Sequence, residues 1–259
     1  MVGEDIFRFG GGEAARPEAG DRAYQRGLAW AALVVWAALA VAPANRGAWL
    51  AENVLVAGMV VALYLWRDTV RLSNASSTAL FAFLCAHEVG AHHTYPGVPY
   101  DAWVEALAGG TLRDLLGVER NHFDRLAHLL FGLLLTQPLR EALMQTSAVR
   151  GRWGYVLPVA ISMAASAGYE VAEWCVAVLV GGDLGPAFLG AQGDVWDAQK
   201  DLALASGGAM LAMTVVSHRE RARAAAAAAA AGPARTPAAE APAPADVSAV
   251  ALQRSRAWR

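Results

Sequence analysis

Residues 154–180 read GYVLPVAISMAASAGYEVAEWCVAVLV, an apolar segment of 27 residues that contains two glutamates. A run of this length is typical of a membrane-crossing helix, since about 20 helical residues span the hydrocarbon core of a bilayer. Glu170 and Glu173 lie three positions apart, so a helix presents both carboxylates on one side. Ionisable groups at this depth cost about 2.5–3.5 kcal/mol each on insertion scales, and they often mark a functional site. The segment therefore predicts a transmembrane helix that carries part of a polar site.

The composition of the whole chain is that of a polytopic, all-α membrane protein. Of the 259 residues, 56% are hydrophobic and only 17% are charged, which favours a membrane protein over a soluble domain. The net charge of −2 gives no indication of a nucleic-acid partner. Hydropathy predicts six transmembrane helices, near residues 27–43, 50–66, 76–93, 123–138, 154–180 and 201–217.

The distribution of arginine predicts the orientation of these helices. Twelve arginines flank the predicted spans on one side, against three in the opposite loops. The twelve are Arg8, Arg16, Arg22 and Arg26 before the first span, Arg67 and Arg71 after the second, Arg140, Arg150 and Arg152 after the fourth, and Arg219, Arg221 and Arg223 after the sixth. The positive-inside rule then predicts that both termini are cytoplasmic. We expect residues 1–26 to form a cytoplasmic segment, 27–217 the multi-pass membrane domain, and 218–259 a disordered cytoplasmic tail rich in alanine and proline. We also expect the first span to be retained, because the segment before it is long and acidic for a signal peptide.

With this orientation, four predicted helices carry ionisable residues at one membrane level, the extracytoplasmic leaflet. We therefore predict that these side chains gather in one pocket facing the periplasm. Asp124 and His128 are four residues apart and share a helix face. His87 and Glu88 diverge by about 100°, so only one of them can point straight at a common centre. The set comprises His87, Glu88, His92, His93, His122, Asp124, His128, Glu170, Glu173, Asp194, Asp197, Lys200 and Asp201.

Imidazole and carboxylate groups together suit a divalent metal, for which we expect zinc or iron. The first hypothesis is therefore a metal-dependent, hydrolase-type site at the outer leaflet, acting on a lipid or lipid-linked substrate. The expected metal ligands are His87, His122, His128, Asp124 and Asp197. The expected catalytic residues are Glu88, Glu173, Asp194 and Lys200. The expected substrate contacts are Arg120, Arg125, His92 and Tyr95, of which the arginines suit a phosphate head group.

Two other hypotheses fit the same residues. A proton- or cation-coupled transporter or ion sensor would use them as a relay, although the inner half of each predicted span is almost purely aliphatic. A structural or assembly protein would use them as a buried polar network that fixes helix packing. Ligand atoms about 4 Å or less apart would favour a metal, whereas carboxylate–guanidinium pairs with every donor satisfied would favour a structural role.

Four motifs resemble those of the bacterial YjdF-like inner-membrane proteins, a family without an established function. They are HEVGAHHTY at residues 87–95, RNHFDRLAH at 120–128, EVAEW at 170–174 and QGDVWDAQKD at 192–201. The resemblance covers about residues 27–217 and implies a helical membrane protein. It also implies tyrosine in the family at the positions of His93 and Phe123, which argues against His93 as an essential ligand. It implies no particular reaction.

Overall fold

The computed structural model describes residues 19–117, 120–180 and 192–231. All regular secondary structure within these ranges is helical, which confirms the predicted all-α class. The helices are α1 (Ala19–Leu39), α2 (Arg46–Trp66), α3 (Asn74–His93), α4 (Tyr100–Ala108), α5 (Leu112–Leu116), α6 (Phe123–Thr146), α7 (Trp153–Val180) and α8 (Asp197–Ala231).

Each predicted span overlaps one long helix, but the ends differ. The first helix begins at Ala19 and ends at Leu39, so the predicted span at 27–43 lies too far along the chain. It ends there because Ala42 has a φ of 48° and is followed by Pro43, which disfavours helix at the preceding residue. The connection between α3 and α6 contains the two short helices α4 and α5.

The outer surface of the long helices is apolar. Of the helices that the structure describes, Arg46–Trp66 and Trp153–Leu179 are long and apolar enough to cross a membrane. Large side chains such as Trp30, Val54 and Leu179 are 68%, 68% and 84% exposed. Soluble monomers rarely expose apolar surface of this extent, whereas lipid-facing helices do so by necessity.

The chain divides into one unit that ends at Ser217 and a second that begins at His218. Helix α8 continues to Ala231. Residues 218–231 at the start of the predicted tail are therefore helical, as the high helix propensity of their alanine run favours. The remainder of the predicted tail and most of the predicted N-terminal segment lie outside the described ranges.

Helices α6 and α8 touch through their backbones. A Cβ atom built on Gly132 would lie 1.9 Å from the carbonyl oxygen of Ala205, and one on Gly208 would lie 2.4 Å from that of Leu129. Small residues at such a contact let membrane helices approach closely. The contact lies one turn after His128 on α6 and follows Asp201 on α8. It therefore fixes the register at which the polar residues of the two helices meet.

Candidate metal centre

The starts of α6 and α8 bring three metal-ligating side chains together. Ligand atoms of Asp124, His128 and Asp201 lie within 4.8 Å of one another, and all three residues are buried. His128 Nε2 is 3.8 Å from Asp124 Oδ1 and 3.2 Å from Oε1 of Glu170 on α7. Asp201 is only 1% exposed, and its Oδ1 atom has no hydrogen-bond partner. A buried carboxylate oxygen without a donor is costly unless a cation or proton compensates it.

The spacing of the three side chains suits a divalent ion. His128 Nε2 and Asp124 Oδ1 lie 3.8 Å apart, which is within the separation of about 4 Å that two ligands of one ion adopt when the bonds are about 2.0–2.4 Å long. A ligand atom of Asp201 lies within 4.8 Å of ligand atoms of both other residues.

Several acidic side chains crowd this centre and repel one another. Burying like charges is unfavourable unless opposite charge accompanies them. Arg120 and Arg125 offset part of the repulsion at Asp124 and Asp201. The mutually repelling carboxylates are those of Glu52, Asp124, Glu170, Glu173, Asp197 and Asp201. This excess of buried acid favours a bound cation.

A network of ion pairs forms the outer rim of the centre. Lys200 Nζ donates to Asp194 Oδ2 at 2.6 Å, and Arg125 Nη2 donates to the same oxygen. Arg120 Nη1 lies 2.7 Å from Asp197 Oδ1, and Arg125 Nη2 lies 3.3 Å from it. The network joins the residues before and within the first turn of α6 to those at the start of α8. It is the pairing that the structural hypothesis anticipates. Asp201 lies apart from this rim, next to Asp124 and His128, and these three residues form the inner cluster.

His87 and Tyr95 form a second polar pair next to the centre. The Tyr95 hydroxyl lies 2.7 Å from His87 Nδ1, and the buried His87 Nε2 has no hydrogen-bond partner. The Tyr95 ring lies against Gly90, where a Cβ atom would come within 2.5 Å of it. Burial raises the pKa of Tyr95 well above its usual value, so the phenol keeps its proton at neutral pH.

An apolar cavity of about 410 Å³ ends at these polar groups. Its walls come from α2, α3, α6 and α7. The polar lining residues include His87, Tyr95, Asp124, His128 and Tyr169. The apolar lining residues include Leu55, Met59, Phe83, Leu84, Phe131 and Leu135. A mostly apolar cavity with a few convergent polar groups is typical of a ligand site, and its apolar walls suit a hydrocarbon chain.

Helix α2 contributes a buried glutamate, Glu52, that was not among the site residues predicted from the sequence. Glu52 is 5% exposed, and the Tyr169 hydroxyl donates to its Oε2 atom at 3.0 Å. Asn53 and Trp49 of the same helix are neighbours of the buried Glu88 carboxylate. Its position could have indicated this role, because Glu52 is an acid inside the apolar segment 50–66, and ionisable residues within membrane spans usually face the interior of the helix bundle.

The predicted site residues divide between the inner cluster, the rim and more distant positions. Asp124 and His128, both predicted as metal ligands, lie in the inner cluster, together with Asp201, for which no specific role was predicted. The predicted ligands His122 and Asp197 lie at the rim, where His122 Nδ1 is 3.3 Å from Arg125 Nη1. His92 Nδ1 lies 2.8 Å from the backbone oxygen of Leu39 and so joins α3 to the end of α1. Glu173 is buried near the inner cluster, and the other predicted residues lie as described above.

Replacing Asp194 is expected to lower the stability of the rim at neutral pH. The hydrogen bond from Lys200 holds the pKa of Asp194 well below its usual value. The ionised carboxylate therefore stabilises the fold above the unfolded-state pKa of about 3.9, and this contribution is lost as the pH falls through the lower folded-state pKa. We expect Asp194→Asn to lower the melting temperature of the detergent-solubilised protein at pH 7, with a difference from the wild type that shrinks below about pH 4.

The matched control is Asp68→Asn, since Asp68 pairs with Arg67 at 3.6 Å but its side chain is 84% exposed. Exposed pairs of this kind contribute little to stability, so this variant should melt like the wild type at every pH. A melting temperature for Asp194→Asn that equals that of the control at pH 7 would show that the rim network does not stabilise the protein.

Comparison with known proteins identifies the family. The family model described as "Predicted membrane protein (DUF2238)" matches residues 24–222. The inner membrane protein YjdF of Escherichia coli (strain K12) is 34% identical over 166 residues, which cover 62% of this chain and 74% of that protein. No solved structure matches the chain. These findings confirm the resemblance carried by the four motifs: the chain belongs to the DUF2238 family of membrane proteins.

Proposed function

We propose that this protein is a multi-pass inner-membrane enzyme that uses a divalent metal, zinc or iron, to hydrolyse a lipid or lipid-linked substrate. One observation carries the proposal: the buried Asp124, His128 and Asp201 side chains converge where an apolar cavity lined by Asp124 and His128 ends. The proposal includes six transmembrane helices, namely α1, α2, α3, α6, α7 and α8, with both termini in the cytoplasm.

The lengths of the helices support six spans. Each of the six has at least 20 residues, and 20 helical residues extend about 30 Å, the thickness of the hydrocarbon core. Four of them fall short of the hydropathy of α2 and α7 because they carry the polar residues of the site or long polar ends. Their arginine-rich ends lie on one side under the positive-inside rule, which supports the cytoplasmic termini.

The proposed chemistry begins with the inner cluster. Asp124, His128 and Asp201 would hold the ion, which would lower the pKa of a bound water and so supply a nucleophile near neutral pH. Glu170 lies 3.2 Å from His128 and is placed to accept a proton as a general base. His87, held at Nδ1 by the Tyr95 hydroxyl, is placed on the cavity wall as a proton carrier or substrate contact.

The cavity and the rim support a lipid-type substrate. The apolar walls would take a hydrocarbon chain, while the polar end receives the bond to be cleaved. At the rim, Arg120, Arg125 and Lys200 lie together beside Asp194 and Asp197. Guanidinium and ammonium groups are the side chains that best bind an anionic head group such as a phosphate.

The two alternative functions have less support. A relay for protons or cations needs polar groups across the full membrane thickness, yet the cavity continues away from the centre between Met59, Phe131 and Leu135. A purely structural network should satisfy its buried donors and acceptors. The buried Asp201 Oδ1 has no hydrogen-bond partner, which supports a bound cation or proton there rather than a fully satisfied structural network.

A direct test uses the full-length protein in liposomes made from a bacterial total lipid extract. We expect the zinc- or iron-loaded protein to convert at least one lipid class, detected by mass spectrometry, and the chelator-treated protein to convert none. Asp201→Asn should remove this activity, whereas His92→Gln should retain it, because His92 contacts Leu39 rather than the centre. A metal-loaded protein that leaves every lipid class unchanged would contradict the enzymatic proposal.

A further inference from the structure

A second cavity, of about 800 Å³, lies at the other end of the same helices. The first cavity includes Tyr95, which follows α3, and Asp124 from the first turn of α6. The second includes Ser77 near the start of α3 and Ala142 near the end of α6. The two cavities therefore open toward opposite ends of the helices. They share Met59 and Leu135 as lining residues.

The second cavity combines a cationic rim with an apolar floor. Arg22, Arg67 and Arg71 line it, and Asp68 is the one acid among the lining residues that the structure describes. Asp68 lies 3.6 Å from Arg67, but both side chains are more than half exposed, so this pair is weak. The floor consists of Met59, Leu63, Leu80, Leu135 and Leu139. Positive charge above an apolar surface is complementary to an amphiphile with an anionic head group.

The arginines lie where a membrane head group would lie. Arg67 and Arg71 follow the last residue of α2, and Arg22 is in the first turn of α1. Trp66, 58% exposed, also lines the cavity, and tryptophan is enriched at the membrane–water interface. The apolar floor leads from this level toward the middle of the helices.

We propose that this second cavity binds an anionic phospholipid, with the phosphate on Arg22, Arg67 and Arg71 and an acyl chain along the leucine floor. The chain would end at Met59 and Leu135, the side chains that separate it from the first cavity. The site is independent of the proposed metal chemistry, because none of its lining residues belongs to the inner cluster or the rim.

The test measures lipid binding to the full-length, detergent-purified protein. Fluorescent phosphatidylglycerol is the probe, and phosphatidylethanolamine with the same acyl chains is the zwitterionic comparison. Each arginine near the lipid surface contributes about 1 kcal/mol, so Arg67→Gln/Arg71→Gln should weaken phosphatidylglycerol binding about 30-fold. Arg22→Gln, a single change at an exposed helix position, should weaken it about fivefold.

The matched control is Arg219→Gln/Arg221→Gln, which removes the same charge from exposed positions of α8 that do not line the cavity. This control should bind phosphatidylglycerol like the wild type. Equal binding of the two lipids, or equal losses in the control and the cavity variants, would overturn the proposal. Displacement of the lipid by glycerol phosphate or inorganic phosphate at the same concentration would also overturn it, because a soluble anion would then be the ligand.

Discussion

Asp201→Asn should weaken metal binding by more than about 100-fold and at the same time stabilise the metal-free protein. Loss of an outer partner of a metal ligand already costs about 10–100-fold in affinity, and Asp201 is one of the three side chains that would hold the ion. Without metal, the same change removes a negative charge from a buried set of mutually repelling carboxylates, which relieves an unfavourable charge burial. Elemental analysis and metal titration measure the first effect, and thermal unfolding with and without chelator measures the second.

The expected loss of metal affinity together with a gain in metal-free stability distinguishes a metal centre from a structural network. In a structural network, Asp201→Asn would remove a stabilising pairing, and the melting temperature would fall in chelator as well. Asp194→Asn is the matched control, since it makes the same chemical change in the rim, where Asp194 pairs with Arg125 and Lys200. This control should lower the melting temperature and keep the metal. Wild-type protein that binds neither zinc nor iron would remove the metal proposal.

Periodicity and hydropathy predicted the helices and part of the centre. The four-residue spacing of Asp124 and His128 placed both on one face of a helix, and the structure brings them together with Asp201. The spacing of Asp194, Asp197 and Asp201 is compatible with one side of a helix, but spacing alone could not predict which of the three carboxylates faces Asp124 and His128. That choice depends on Arg120 and Arg125, which pair with Asp194 and Asp197.

Features that depend on packing between helices could not be predicted from the chain. The contact between His92 and the Leu39 carbonyl requires the end of α1 to meet the end of α3. The cavity depends on how side chains of four helices pack together, and the sequence of any one helix does not determine that packing. In the same way, nothing in the dipeptide Gly207–Gly208 indicates that only the second glycine touches α6.

Gly208→Ala should destabilise the protein by about 3 kcal/mol or more, toward the upper end of the usual cost of overpacking. The added Cβ would lie 2.4 Å from the Leu129 carbonyl oxygen and 2.8 Å from the Leu133 nitrogen, and these backbone atoms cannot move aside as a flexible side chain can. Helices α6 and α8 would have to separate, which would also displace Asp201 from Asp124 and His128 and weaken metal binding. Chemical or thermal unfolding in detergent measures the stability, and metal titration measures the second effect.

Gly207→Ala is the adjacent control. A Cβ at Gly207 meets nothing within 4 Å, so alanine should raise stability by about 0.5–1 kcal/mol through its higher helix propensity. Two neighbouring substitutions of identical chemistry are thus expected to shift the free energy of unfolding in opposite directions. Shifts of the same sign and size would show that α6 and α8 do not meet at Gly208. The convergence of Asp124, His128 and Asp201 would then be contradicted as well, because the contact at Gly208 sets the register of the two helices that carry them.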